Sequence, residues 1–191
     1  MDASVDADPP QDAAEPAVDQ AAREFAPIVP LGSEHDAADF ECGSDAQNDW
    51  VRRHALQAHR SGTSRVYVLT RAGSPRVLGY FALAAGSVEQ ASAPARVRQG
   101  AGRYPIPVVL LTRLGVDRSV QGRGLGAALV RDALLRVDQA ADTIGVRALL
   151  IHCESAAARA FYEHLAEFEP SPTDPLHLLL LMKDLRAALH R

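Results

Sequence analysis

The stretch that decides the fold is Leu110 to Ala127, which reads LLTRLGVDRSVQGRGLGA. An apolar segment runs here into a glycine-rich turn, and residues 125–144 then carry apolar side chains at helical spacing. A strand that feeds such a turn at the start of a helix is suited to hold a diphosphate. The free N–H groups of the first helical turn and the helix dipole both favour negative charge there. Gly122, Gly124 and Gly126 leave no Cβ in the way.

The spacing of these glycines distinguishes between several kinds of diphosphate-binding loop. A dinucleotide-binding fold needs G-x-G-x-x-G and an acidic residue about 20 positions later on a second strand, but a helix fills that interval here. A P-loop ends in Gly-Lys-Ser/Thr, whereas Gly126 is followed by two alanines. The remaining pattern is QGRGLG at 121–126, which matches the Q/R-x-x-G-x-G/A signature and so resembles the GNAT N-acetyltransferases.

The resemblance extends well beyond the loop, to roughly residues 25–185. The matching segments are, in chain order, FECG at 40–43 with Trp50, GYFAL at 79–83, PIP at 105–107, RLGVD at 113–117 and FYE at 161–163. Together they resemble the tRNA-acetylating toxins of bacterial toxin–antitoxin systems. Two departures are visible: AEF at 166–168 replaces the usual Gly-Phe, and Gly115 stands where alanine is usual.

The resemblance implies an α/β protein with the GNAT fold, a central mixed β-sheet with a V-shaped splay, flanked by helices on both faces. The residue patterns agree with this alternation of strands and helices. They predict strands at 65–70, 77–84, 108–116, 148–153 and 176–182, helices at 45–59, 125–144 and 155–165, and a loop at 90–104. Ser155 is the predicted N-cap of the last helix.

The family likeness also implies acetyl-CoA as cosubstrate, with its pantetheine arm in the V between the strands at 108–116 and 148–153. The predicted cofactor-binding residues are Leu114, Gly115, Val116, Gln121, Gly122, Arg123, Gly124, Leu125, Gly126 and Ala127. A backbone N–H near Val116 would stabilise the oxyanion of the thioester carbonyl. Arg118 and Arg123 are the candidates for the cation that the 3′-phosphate needs, and a solvated surface role is the alternative for each.

By the same resemblance, Tyr162 is the catalytic residue, a general acid that protonates the departing thiolate. His152 and Glu154 flank Cys153 near the same cleft and are alternative acid or base groups. Cys153 raises the alternative of an acyl-enzyme, but no base is paired with it in the sequence, so direct transfer is simpler.

Charge is distributed unevenly along the 191 residues, whose net charge is −4. Residues 1–24 hold seven acidic side chains and one arginine, which leaves 17 acidic and 19 basic side chains in the remainder. We therefore expect a disordered acidic extension at 1–24, one GNAT domain at 25–186 and a short tail at 187–191.

Other classes of protein find little support in the composition. Cys42 and Cys153 lie far apart, and the seven histidines show no metal-ligand spacing, so we expect free thiols and no metal. No apolar run approaches the ~20 residues of a membrane span, and no signal peptide is recognisable. These features favour a cytoplasmic protein that does not bind membranes.

Arginines near the first predicted helix and in the loop at 90–104 are candidates for phosphate contacts. The predicted tRNA-binding residues are Arg52, Arg53, Arg60, Arg96 and Arg98. The resemblance implies transfer of acetyl to the α-amine of an aminoacyl-tRNA, inhibition of translation, a ribbon-helix-helix antitoxin as partner, and often a homodimer. Two alternatives stay open: acetylation of a small-molecule amine or a protein N-terminus, and a non-catalytic module that binds only coenzyme A or the antitoxin.

Overall fold

Seven strands form one mixed sheet in the computed structural model, which describes residues 24–190. They are β1 (Val29–Pro30), β2 (Arg65–Thr70), β3 (Val77–Val88), β4 (Ile106–Val116), β5 (Ala148–His152), β6 (Glu169–Pro170) and β7 (His177–Leu181). Their order across the sheet is β1-β2-β3-β4-β5-β7-β6. Only β4 and β5 run parallel, and the other neighbours in this sheet are antiparallel. The predicted mixed α/β sheet is confirmed.

Six α-helices cover this sheet within the described residues. They are α1 (Asp45–Arg53), α2 (Ala55–Ser61), α3 (Ala95–Arg98), α4 (Leu125–Ala141), α5 (Ala156–Leu165) and α6 (Met182–Leu189). Serine side chains begin two of them: the hydroxyl of Ser44 accepts from the N–H of Gln47, and that of Ser155 accepts from Ala158. Both are N-caps of the usual kind, and the cap at Ser155 was predicted.

Alternating side chains on β3 show that both faces of the sheet are buried. Phe81 and Leu83 pack in a core with α4 and α6, whereas Tyr80 and Ala82 pack in a second core with α1 and α2. Successive strand residues point to opposite faces, so a strand buried on both sides reads as continuously apolar. The helices therefore lie on both faces, as predicted.

The sheet splays between β4 and β5. The two strands pair only over Val108–Leu111 and Ala148–Ile151, and β4 then continues to Val116 paired with β3 alone. The backbone of residues 112–116 therefore presents an open edge toward the gap, since its β5 partner has ended. This is the predicted V.

Several element boundaries differ from the prediction. The helix predicted at 45–59 is two helices that meet at His54, although the apolar spacing runs through the break without a sequence signal. The loop at 90–104 contains α3, whose Val97 is fully buried. Helix α6 was not predicted, because its apolar start was assigned to the last strand. It runs to Leu189, three residues past the expected domain end at 186, and buries Leu185 completely.

Candidate active site

A cavity of about 480 Å³ opens at the wide end of the V, between the end of β4 and the start of α4. Nine of the ten predicted cofactor-binding residues line it: Leu114, Gly115, Val116, Gln121, Gly122, Gly124, Leu125, Gly126 and Ala127. The tenth, Arg123, does not. Cys42, Ser44, Gln47, Val120, Glu154 and Phe161 complete the wall. We call this space the cofactor cavity.

The N-terminus of α4 faces the cofactor cavity without a side-chain cap. Gly124 precedes the helix at φ +78°, in the left-handed region that favours glycine, and within residues 24–190 no side chain accepts from the first-turn amides. A 17-residue helix ends here with its positive dipole end and unpaired N–H groups directed into the cavity. The residues present therefore fit the diphosphate of an acetyl-CoA molecule.

Two polar side chains fix the loop that connects β4 to α4. The amide of Gln121 donates to the carbonyls of Val116, at 2.8 Å, and Cys42, at 3.0 Å. The carboxylate of Asp117 is buried and accepts from the backbone N–H groups of Ser119 and Glu41, each at 3.0 Å. Burial alone raises the pKa of Asp117, but the hydrogen bond from the Ser119 hydroxyl and those from the two backbone N–H groups outweigh it and lower that pKa below its ordinary value. The charged carboxylate therefore holds the loop rigidly.

The two arginines considered for the 3′-phosphate lie in different surroundings. Arg123 forms an ion pair with Glu24 and stacks over the ring of Phe25, with 5.0 Å between its guanidinium carbon and the ring centroid. Arg118 is exposed beside Gly43, and no side-chain ion pair holds it within the described residues. Arg118 is therefore the more available of the two cations.

Gly115 lines the cofactor cavity, and aromatic rings fill the space that a side chain at this position would occupy. A Cβ at this position would lie 3.0 Å from the Tyr80 ring and 3.2 Å from the Phe40 ring. Those two aromatic rings pack edge to face with 5.3 Å between centroids. Glycine in place of the usual alanine thus accompanies a tightly packed aromatic pair beneath β4.

A narrow cavity of about 60 Å³, which we call the throat, lies where β4 and β5 part. Tyr162 of α5 lines it, together with Cys153 and Glu154. The phenol is 7% exposed, and burial raises its pKa, with smaller contributions from Cys153 and Glu154. Tyr162 therefore stays protonated at neutral pH, as a general acid must before it donates.

The segment that replaces the usual Gly-Phe closes α5 without changing the aromatic packing next to Tyr162. Ala166 ends the helix in extended backbone, and its carbonyl accepts from the N–H of Phe168 at 2.9 Å. The Phe168 ring is buried and packs edge to face on Tyr162, with 6.2 Å between centroids. The altered turn still buries an aromatic ring against the phenol.

Cys153 is buried in the throat, where desolvation raises the pKa of its thiol to about 11. A thiol with that pKa is almost entirely protonated at neutral pH, and the thiolate is the nucleophilic form. Both Cys153 and Cys42 are free thiols. The environment of Cys153 therefore favours direct transfer over an acyl-enzyme.

A third cavity, of about 300 Å³, lies beyond the throat on the sheet face that carries α1. We call it the acceptor cavity; its polar and aromatic lining comprises Gln47, Trp50, Ser64, Thr112, Arg113, His152 and Glu154. Trp50 stacks on Tyr80, with 5.8 Å between ring centroids, and the guanidinium carbon of Arg113 lies 5.7 Å from the Trp50 centroid. An aromatic ring beside a cation is suited to bind a polar, planar group.

His152 lies at the rim of the acceptor cavity and is held by a second histidine. Its ring stacks on His177 with 3.9 Å between centroids. Burial and the neighbouring His177 lower the pKa of His152, so the ring is neutral at physiological pH.

The sequence did not single out Gln47, which lines all three cavities. It is only 6% exposed, and its amide joins Tyr80 on one side to Glu154 on the other. The available signal was a polar residue on the buried face of an amphipathic helix, which is weak evidence because such residues often have structural roles.

The five arginines predicted to bind tRNA differ in how they are engaged. Arg53 pairs with Asp49 at 2.9 Å, Arg52 donates to the carbonyl of Phe40, and Arg96 bridges Glu169 and Asp184 at 2.9 Å each. Arg60 and Arg98 are exposed and form no ion pair among residues 24–190. They do not form one cluster, since α2 packs on β2 and α3 on β7, on either side of the cleft.

Among residues 24–190, no group of three His, Cys, Asp or Glu side chains is arranged to hold a metal ion. No helix in the same range is both long and apolar enough to cross a membrane.

Comparison with known proteins agrees with this geometry. The acetyltransferase (GNAT) family model matches residues 33–168. A tRNA-acetylating toxin of Mycobacterium tuberculosis is 54% identical over 154 residues, which cover 81% of this chain and 90% of that protein. These matches confirm the resemblance that the sequence motifs indicated.

Two solved structures resemble the fold closely. AtaT complexed with acetyl-methionyl-tRNAfMet superimposes with a TM-score of 0.77 at 32% identity, covering 86% of this chain and 98% of that one. A mutant AtaT toxin bound to the C-terminus of the antitoxin AtaR and acetyl-CoA gives a TM-score of 0.73 at 29% identity, covering 88% and 99%. The chain therefore belongs to the GNAT acetyltransferase family, in the branch of the tRNA-acetylating toxins.

Proposed function

We propose that this protein is a toxin that transfers the acetyl group of acetyl-CoA to the α-amino group of an aminoacyl-tRNA and so inhibits translation. One observation carries the proposal: the throat at Tyr162 shares Gln47 and Glu154 with a cavity suited to a diphosphate and with a second cavity on the sheet face that carries α1. A donor and an acceptor can meet there from two sides. The tRNA-acetylating relative from Mycobacterium tuberculosis supports the choice of acceptor.

In this proposal, separate groups bind acetyl-CoA, stabilise the oxyanion and protonate the leaving thiolate. The amides at the start of α4 hold the diphosphate of acetyl-CoA, and the open edge of residues 114–116 pairs with the pantetheine arm as an added strand would. A backbone N–H near Val116 stabilises the oxyanion. Tyr162 protonates the thiolate as it leaves.

An aminoacyl ester suits a site with no strong base. A free α-amino group has a pKa near 8, and esterification of the neighbouring carboxyl lowers it further. Much of that amine is therefore neutral and nucleophilic at physiological pH. A lysine ε-amine, with a pKa of about 10.4, is almost fully protonated and needs a stronger base.

We propose that the sheet face with α1, α2 and α3 meets the tRNA. Arg60 and Arg98 lie on this face on either side of the cleft, and both are without intramolecular ion pairs in the described range. Only 5% of the chain is aromatic, which favours contacts to the phosphates of the acceptor stem over the reading of single-stranded bases.

A structural relative also supports a proposal for the partner. A structural relative is bound to the C-terminus of its antitoxin. We propose that this protein too has an antitoxin, of the ribbon-helix-helix class, which covers the active site. A homodimer is a further expectation of the family. The cytoplasm, where charged tRNA is found, is the proposed site of action.

One experiment separates this function from its alternatives. The protein is incubated with labelled acetyl-CoA and, in parallel, with charged tRNA, spermidine or a peptide with a free N-terminus. We expect label on the aminoacyl end of the tRNA. Label on spermidine or the peptide alone would instead identify a small-amine or N-terminal acetyltransferase. Affinity for coenzyme A without transfer to any amine would identify a binding module.

A further inference from the structure

Three polar side chains form a chain of hydrogen bonds from the buried core to the throat. The hydroxyl of Tyr80 donates to the side-chain oxygen of Gln47 at 2.7 Å, and the Gln47 amide nitrogen donates to the Glu154 carboxylate at 2.7 Å. A carboxylate can only accept, so the NH₂ group of Gln47 must face Glu154. The amide orientation is therefore fixed, and one carboxylate oxygen is held in place.

Glu154 lies where the three cavities of the active site adjoin one another. It lines the cofactor cavity, the throat and the acceptor cavity, while Tyr162 lines the throat beside it. Its side chain is exposed to the cleft, and Gln47 engages one carboxylate oxygen only. The second oxygen is left to accept from a group that enters the throat.

We infer that Glu154 is a catalytic residue of this enzyme, the group that takes the proton from the acceptor nitrogen as the amide forms, and that Gln47 is its positioning residue. The inference rests on the proposed function, because it assigns a role at the same site. It concerns the proton-accepting step, which the Tyr162 assignment leaves open.

The step uses only groups that the protein and its two substrates supply. The neutral amine attacks the thioester carbon and forms the C–N bond, which leaves a positive nitrogen and a negative oxygen. Glu154 takes a proton from that nitrogen. The carbonyl re-forms, the C–S bond breaks with its electron pair on sulfur, and Tyr162 gives its proton to the sulfur. Solvent then carries the proton of Glu154 to the Tyr162 oxygen, which resets both groups.

Other titratable groups around the throat are less suited to this step. Tyr162 and Cys153 are already protonated at neutral pH and cannot take up the proton of the acceptor nitrogen. Arg113 is a cation and cannot take it up either. His152 is neutral, but it lines only the throat and the acceptor side and does not reach the cofactor cavity where the thioester enters. Glu154 alone among these acceptors lines all three spaces.

The test compares Glu154→Gln with wild type in single-turnover transfer from labelled acetyl-CoA to charged tRNA. Glutamine keeps the shape and can still accept from Gln47, but it cannot take a proton. We expect transfer to fall about 10²-fold while the Kd for coenzyme A stays unchanged. Glu154→Asp, which keeps a carboxylate in a shifted position, should recover part of the rate, and His152→Asn should lose less than Glu154→Gln.

Glu34→Gln is the matched control, because it makes the same chemical change at a side chain that is 71% exposed and lines none of the three cavities. A Glu154→Gln rate within threefold of wild type would overturn the inference, as would a larger loss in His152→Asn. Absence of transfer to tRNA by the wild-type protein would instead overturn the proposed function, so the two failures are distinguishable.

Discussion

The carboxylate of Glu24 pairs with the guanidinium of Arg123, in the middle of the glycine-rich loop. The same carboxylate also contacts Arg71 at 2.5 Å, and the ring of Phe25 lies against both guanidinium groups. The pair lowers the pKa of Glu24, chiefly through its hydrogen bond with Arg123, so the carboxylate is charged at neutral pH. An acidic side chain thus engages the cation that the glycine-rich loop itself carries.

We therefore expect Glu24→Gln to tighten coenzyme A binding by a few-fold, because a freed Arg123 adds positive potential next to the phosphates. The pair is exposed, so the gain should shrink as ionic strength rises. Isothermal titration calorimetry with coenzyme A at low and high salt measures this change in affinity. Asp138→Asn is the control, because it removes a similar ion pair, with Arg186, about 20 Å from the start of α4. It should leave the affinity for coenzyme A unchanged. Weaker binding in Glu24→Gln would indicate that the pair supports the loop.

Removal of the Tyr162 hydroxyl should separate binding from turnover. We expect Tyr162→Phe to lower kcat by about 10²–10⁴-fold, the usual contribution of a general acid, with an unchanged Kd for coenzyme A. The ring keeps its contact with Phe168, so the melting temperature should stay close to that of wild type. Turnover equal to wild type would remove Tyr162 from the mechanism.

The pH dependence of wild-type kcat tests the same assignment in a second way. A general acid must be protonated, so activity is lost as pH rises through its pKa. Burial raises the pKa of Tyr162 above the ordinary value near 10, which moves that loss to higher pH. At saturating acceptor, we expect kcat not to fall between pH 7 and about 9.5. A decline within that range would point to an acid with a lower pKa.

The backbone of Gly124 gives a further test of the diphosphate site. Gly124→Ala forces a side chain into the left-handed region, at a cost of about 1–2 kcal/mol, and should displace the first amides of α4. We expect coenzyme A affinity to fall at least tenfold. Gly73→Ala is the matched control, since Gly73 has φ +73° in a hairpin turn with open space around it. Both variants should lose similar stability, measured by urea unfolding, but only Gly124→Ala should lose affinity.

Local sequence patterns predicted an element of the structure correctly where a single local interaction determines that element. The strand at 65–70 and the Ser155 cap follow from β-branched residues and a hydroxyl before a helix, and both were predicted correctly. The glycine loop was recognisable because diphosphate binding restricts which residues fit there. Six of its seven predicted residues line the cofactor cavity, together with Leu114, Gly115 and Val116 of β4.

Contacts between distant segments were not predictable from the same patterns. Gln47 and Glu154 are 107 positions apart, and only the fold, with α1 packed on β4, brings them together. The same holds for Arg96, which the loop composition placed among tRNA contacts but which bridges β6 and α6 through Glu169 and Asp184. A single sequence reports the side-chain charge, whereas the fold determines its partner.

That difference between engaged and unengaged arginines leads to a prediction for tRNA binding. Arg98 is exposed without an ion pair in the described range, whereas Arg96, two residues earlier, is held by two carboxylates. We expect Arg98→Gln to weaken tRNA binding and to reduce the slope of log K against log salt by about one unit, the value for one lost phosphate contact. Arg96→Gln should lower the melting temperature and leave that slope unchanged. Filter binding of tRNA at roughly 50 to 200 mM salt distinguishes the two variants. If Arg96→Gln reduced the slope and Arg98→Gln did not, the tRNA would have to displace the ion pairs of Arg96, and the proposed contact surface would be centred on the wrong arginine.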